Sequence, residues 1–187
     1  MVSAAQLRAG MAIRYEGQIF KIIASEYHPG QGKMGGVAHA RLKNLSTGAL
    51  WAHSFRAELK IEEVPLAKQS LVFLYSDADR SFFMNPESFE QVEVENSIIG
   101  PQIRFLQPDI QLPVEFVDGR PVSVVFPDIM EARVAETPPA AHGQQDNTWK
   151  NARLENGIEV LVPQFIKGGD LIRLDVANLR YVDRAKK

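Results

Sequence analysis

The sequence predicts an all-β protein made of barrels or sandwiches, and three observations carry that reading. Runs rich in valine, isoleucine and phenylalanine alternate with turn signals at short, regular intervals, the pattern of packed β-sheets rather than of βαβ units. Two dipeptides, Asp118-Gly119 and Asn156-Gly157, are strong hairpin signals, because tight hairpin turns need residues that tolerate positive φ. Helical periodicity is scarce: only residues 87–92 and 96–106 leave room for single helical turns.

The elements follow in order. Residues 11–23, MAIRYEGQIFKII, read as two short strands turning at Glu16-Gly17. Residues 37–55 form a second hairpin around Ser46-Thr47-Gly48. SLVFLY, then Asp77-Ala78-Asp79, then SFFM make a third. Residues 114–126, VEFVDGRPVSVVF, turn on Asp118-Gly119, and residues 152–176 turn at Asn156-Gly157 and again at Gly168-Gly169-Asp170. Pro65 and Pro127 mark boundaries, so the chain divides into 1–64, 65–127 and 128–187. The second and third parts match in length and hairpin density without an exact repeat. A unit of about 60 residues buries only roughly 60% of its unfolded surface, so such parts lean on their neighbours. Residues 136–151, ETPPAAHGQQDNTWKN, lack periodicity and read as a long loop; loops of that length inside a domain are usually functional or disordered.

Composition excludes several classes. With no cysteine, disulfides, thiolate metal sites and a cysteine nucleophile are all ruled out. The histidines, His28, His39, His53 and His142, show no ligand spacing, so neither a metal site nor a cofactor is expected. The N-terminal MVSAAQLRAGM has no apolar signal core, and no segment approaches the roughly 20 apolar residues of a membrane span. A cytoplasmic chain without membrane partners is the expectation. The net charge of −2 hides an asymmetry: residues 1–63 carry eight Lys and Arg against five Asp and Glu, residues 64–127 four against nine. Any polyanion would be met by the first end.

The most unusual stretch is HPGQGKMGGVAHAR, residues 28–41. It fails as a Walker loop, because Met34 follows Gly32-Lys33 and Tyr27 stands where the first glycine should be. A glycine-rich hairpin tip remains, with Lys33 either an idle solvated side chain or a reaching device. Beyond it, strand periodicity puts Val37, His39, Arg41 and Lys43 on one face and Ala38, Ala40 and Leu42 on the other. Such a basic face suits a nucleic-acid backbone, whose phosphates give position and not sequence. It equally suits the solvated side of a half-buried strand. No catalytic arrangement is visible: Asp77 with Asp79 and Glu93 with Glu95 fall at a turn and on a strand, and Ser46, Ser54 and Ser97 lack a glycine elbow. An enzyme is not expected.

The stretch KNARLENGIEVLVPQFIKGGDLIRLD, from Lys150, resembles the C-terminal signature of the elongation factor P family. In it a lysine, a glycine, Val-Pro, a phenylalanine and a further glycine recur at fixed spacings, here Lys150, Gly157, Val162-Pro163, Phe165 and Gly169. LRAGM from Leu7, ARLKNLSTG from Ala40 and FLYSDADRSFFMNPESFEQ from Phe73 extend the resemblance over nearly the whole chain. It implies an N-terminal SH3-like (KOW-type) barrel followed by two OB-fold barrels, with a transfer-RNA-like overall shape and a monomeric state. It also implies a factor that binds the ribosome between the peptidyl and exit sites and relieves stalling at consecutive prolines. Its first domain would send a loop to the end of the peptidyl transfer RNA, and a lysine-modifying enzyme would be a further partner. The implied role is orientation of the reacting ends rather than acid–base chemistry.

Two departures from the family pattern stand out. The usual loop reads Pro-Gly-Lys-Gly, whereas this chain has Pro29-Gly30-Gln31-Gly32 and then Lys33-Met34-Gly35-Gly36. Lys33, the only lysine of this longer loop, is the expected effector and modification site, with His39, Arg41 and Lys43 as RNA-facing supports. The family's third domain often carries Gly-Asp-Thr against messenger RNA; here the matching stretch is Gly143-Gln144-Gln145, where the acid is missing. The competing reading is a β-barrel module that binds protein or single-stranded nucleic acid without acting on peptide synthesis. Phe82-Phe83 and Trp149 would be its stacking candidates.

Overall fold

The computed structural model describes residues 1–30, 35–140 and 148–185, and three antiparallel sheets hold most of their regular structure. The first contains β1 (Val2–Ser3), β2 (Ala12–Tyr15), β3 (Gln18–His28), β4 (Val37–Asn44), β5 (Leu50–Arg56) and β6 (Lys60–Val64), in the order β1-β6-β2-β3-β4-β5. Glu16 and Gly17 have φ of 48° and 77°, the pair of positive values that a two-residue hairpin turn requires. In β4 the predicted alternation holds: Ala38, Ala40 and Leu42 are buried, and His39 and Arg41 are exposed. The sheet curls over a core that includes Ile13, Phe20, Ile22, Leu42, Phe55 and Ile61.

The second sheet contains β7 (Ala67–Ser76), β8 (Arg80–Met84), β9 (Gln91–Glu95), β10 (Gln111–Val117) and β11 (Arg120–Val124), in the order β11-β10-β7-β8-β9. The third contains β12 (Ile129–Glu136), β13 (Trp149–Leu154), β14 (Glu159–Pro163), β15 (Leu171–Asp175) and β16 (Arg180–Arg184), in the order β14-β13-β12-β15-β16. Both therefore place their first strand centrally, flanked by its second and fourth. The matching hairpin density in the sequence reflects this shared topology. Among the described residues no ladder joins the two edge strands of any sheet, so each is a curled half-barrel.

Two compact units result: Met1–Gly100 with Gln107–Val125, and Pro101–Leu106 with Phe126–Lys187. The first two sheets share the first unit. Phe105, from the short 3-10 helix Gly100–Phe105, packs into the core of the third sheet. Pro65 lies between β6 and β7, and Pro127 between β11 and β12.

Three local outcomes refine the sequence reading. Residues 96–106 do form helical turns, as α1 (Asn96–Ile99) and the 3-10 helix after it. Residues 87–92 do not. There Asn85 Oδ1 accepts the backbone N–H groups of Glu87 and Ser88, and Phe89 takes φ of 57°, an asparagine-led turn that competes with helix. The turn at Gly168-Gly169-Asp170 joins β14 to β15, yet β15 pairs with β12, so it is a crossover.

The β7–β8 turn supplies a test. Asp77 Oδ1 accepts the N–H groups of Asp79 at 2.9 Å and Arg80 at 2.7 Å, and these bonds hold its carboxyl below the usual range. A lowered folded pKa means that the turn's stabilisation is present above the ordinary carboxylate pKa and is lost as pH falls through the lowered one. A carboxyl NMR titration is expected to find the Asp77 midpoint below that of an unstructured aspartate, and Asp77→Asn to remove that pH dependence.

Candidate functional site

The 28–41 stretch spans the end of β3, the connection to β4 and the first half of β4. Gln31, Gly32, Lys33 and Met34 lie outside the described residues, so the structure speaks to the root of the loop through Pro29, Gly30, Gly35 and Gly36. His28 pairs with Val37, and Val37 pairs in turn with Arg56 of β5. The loop therefore leaves from a three-stranded end rather than from a bare hairpin. Gly36 sits where a Cβ would come within 2.7 Å of the Tyr27 ring and 2.9 Å of the His28 carbonyl. Its own carbonyl accepts the Ala57 N–H at 2.8 Å. Only glycine fits that close approach.

Below the root, cross-strand register sorts side chains into rows, because directly opposed residues share a face. From the loop downward the rows are His28/Val37/Arg56, Glu26/His39/Ser54, Ala24/Arg41/Ala52 and Lys21/Lys43/Leu50. His28 and His39 meet edge to face with ring centroids 5.1 Å apart, and His28 Nε2 lies 3.5 Å from Glu26 Oε1. His39 Nδ1 shares a 2.7 Å hydrogen bond with Ser54 Oγ. Arg41 and Arg56 are exposed. The exposed strip thus gathers two arginines and two histidines around one carboxylate, and it includes His28 and Arg56, which sequence reading had not placed there. Their only signal was the pairing register, which spacing within one strand does not reveal.

Lys43 is placed differently from His39 and Arg41. It is on the predicted face, but its ammonium is partly buried and donates to the Ile98 carbonyl of α1 at 3.2 Å. Burial, and then the neighbouring Lys21 charge, push its pKa down. Its cross-strand neighbour Lys21 donates to Glu115 of β10 at 2.6 Å. Both lysines therefore serve the contact between the first two sheets, while the exposed Arg56 lies at the other end of the strip.

In the second unit, Gly143, Gln144 and Gln145 also lie outside the described residues. The base of that loop is held by Lys150 Nζ donating to the Pro138 carbonyl at 2.6 Å and by Thr137 Oγ1 donating to the Asn151 carbonyl at 2.8 Å. The signature residues prove largely architectural. Lys150 ties the loop, and Val162 is fully buried. Gly157, at φ of 81°, brings its carbonyl to within 2.7 Å of an Arg104 donor, which a Cβ would meet at 2.7 Å. Of the stacking candidates, Phe83 is core and Phe82 stacks on Tyr75. Trp149 is 55% exposed, edge to face with Tyr181, and Phe165 is 58% exposed beneath Arg184. Among the described residues no group of three metal-ligating side chains converges, and no helix is long and apolar enough to cross a membrane.

Comparison with known proteins covers the chain from end to end. Residues 3–61 match the family described as "Elongation factor P (EF-P) KOW-like domain", residues 66–124 the "Elongation factor P (EF-P) OB domain", and residues 130–184 "Elongation factor P, C-terminal". The "Elongation factor P" of Gemmatimonas aurantiaca is 34% identical over 185 residues, spanning 98% of each chain. That of Acidobacterium capsulatum is 36% identical over 185 residues, spanning 98% of this chain and 99% of its own. Among solved structures, "Eukaryotic translation initiation factor 5A from Methanococcus jannaschii" is similar at 18% identity and a TM-score of 0.49, over 66% of this chain and 92% of that one.

Proposed function

Because the chain belongs to the elongation factor P family, we propose that it binds the ribosome between the peptidyl and exit sites and speeds peptide-bond formation at consecutive prolines. It is a non-catalytic translation factor with a KOW-like domain, an OB domain and the family's C-terminal domain. Proline is a stiff secondary amine with φ fixed near −65°, so two adjacent prolines hold the reacting ends poorly aligned. A protein that orients the peptidyl transfer RNA end contributes entropically, with no group of its own in the reaction.

The observation that carries this reading is the three-stranded root of the 29–36 segment, with its exposed strip of His28, His39, Arg41 and Arg56. A rigid root suits a device that must present its tip at a fixed place, and the strip suits phosphates. Lys33 is the proposed effector, and a lysine-modifying enzyme is its proposed partner; a loop peptide of unshifted mass from native cells would count against modification. A messenger RNA contact through Gly143, Gln144 and Gln145 is part of the same reading, with glutamine hydrogen-bonding a base in place of the missing acid.

Ribosome co-sedimentation over a salt series tests the strip. Arg41→Ala is expected to weaken association and to lower the log–log salt slope by about one, as loss of a single phosphate contact should. An unchanged slope would remove Arg41 from the interface. The exposed Trp149 and Phe165 favour a second reading, a stacking module that binds single-stranded nucleic acid without acting on synthesis. Absence of co-sedimentation at moderate salt would move it ahead.

A further inference from the structure

The contact between the first and second sheets is built around a buried carboxylate. The side chain of Glu115 is 1% exposed, and it receives Lys21 Nζ at 2.6 Å and Lys68 Nζ at 3.5 Å. Around it the two sheets meet through an apolar cluster of Ala12, Leu45, Val64 and Val117. That patch is small and non-directional, so it favours contact without selecting one angle. Among the described residues the sheets also meet through two directional contacts, Lys21 to Glu115 of β10 and Lys43 to the Ile98 carbonyl of α1, and through a close approach at Gly48, where a Cβ would come within 3.0 Å of the Ser97 carbonyl. Of these only the first joins opposite charges. A buried ion pair is poor evidence for net stability; its best-attested use is fixing one geometry.

We infer that Glu115 is a positioning residue: held by Lys21, its carboxylate sets the angle between the first two sheets and hence the direction in which the β3–β4 end leaves the unit. The leverage is large. Lys21 lies seven positions before His28, about 23 Å at roughly 3.3 Å per residue. A tilt of about 10° at the junction would carry the loop root about 4 Å, where a misplacement of about 1 Å can cost about a hundredfold in a positioned reaction. The consequence for synthesis rests on the proposed function; the claim about the angle does not.

The absence of native cysteine makes the test direct. Spin labels at Arg8→Cys and Glu87→Cys, exposed positions in the first and second sheet regions, report the angle as a distance distribution. With the Glu115 and Lys21 side chains intact, one narrow distribution is expected. Glu115→Leu, which leaves Lys21 unpaired, should broaden it and lower the melting temperature. Lys21→Leu with Glu115→Leu should regain melting temperature, yet its distribution should stay broad, which a merely stabilising role would not produce. A distribution as narrow as the parent's in the double variant would overturn the inference, since packing alone would then set the angle. In synthesis through prolines the double variant should lose about tenfold or more in maximal rate, with its half-saturating concentration changed less than about threefold. A broad distribution with an undiminished rate would overturn the positioning role. If the parent protein itself fails to stimulate synthesis, the proposed function fails, while the distance distributions still decide the angle.

Discussion

Lys33→Ala is expected to abolish stimulation of peptide synthesis through a run of prolines while leaving ribosome association within about twofold, because one side chain in a large interface carries little binding but can carry the positioning of the reacting ends. Lys33 is the only lysine between His28 and Arg41, and the loop that holds it leaves from a root with little freedom. His28, Val37 and Arg56 form the last paired row, and the Gly36 carbonyl is fixed by the Ala57 N–H. A lysine at the tip of such a loop can add contacts to the transfer RNA end that exist only when that end is aligned, and these raise rate rather than affinity. Equal stimulation by Lys33→Ala and the parent would leave the family assignment standing and make Lys33 a bystander. Loss of both stimulation and association would show that Lys33 acts through binding instead.

The second large effect is expected at Gly36. In Gly36→Ala the new Cβ would lie 2.7 Å from the Tyr27 ring and hydroxyl and 2.9 Å from the His28 carbonyl. The Tyr27 ring, 48% exposed, can swing away; the His28 carbonyl belongs to the backbone of the last row and can move only if the root parts. Overpacking of this kind costs roughly 1–3 kcal/mol, and the denaturation midpoint should fall accordingly. Gly35→Ala is the matched control, since its nearest neighbour would be Glu58 Oε1 at 4.0 Å. Stimulation through prolines should fall sharply in Gly36→Ala and little in Gly35→Ala. If the two variants behave alike, the close packing of the root has no functional weight.

What the sequence disclosed and what it withheld divide along physical lines. Turns were legible because they are local: Glu16-Gly17 and Asp118-Gly119 adopt the positive φ values that their residue types favour. The two faces of β4 were legible because period 2 is a property of a single strand. Register is not local. His28 and Arg56 enter the basic strip only through the rows His28/Val37/Arg56 and Glu26/His39/Ser54. Lys43 leaves the strip because a carbonyl from α1, more than fifty residues away, takes its proton donor. The asparagine-led turn at Asn85 was legible in principle, since asparagine preceding Pro86 is a turn signal. The crossover between β14 and β15 had no local mark, because a glycine turn looks the same whether or not its flanking strands pair.

The most direct test of the central claim compares two templates in a reconstituted translation system, one encoding consecutive prolines and one encoding alanines at the same positions, each with and without this protein. Faster synthesis on the proline template alone is the predicted result, because only there are the reacting ends poorly aligned to begin with. An equal gain on both templates, or none on either, would contradict the account.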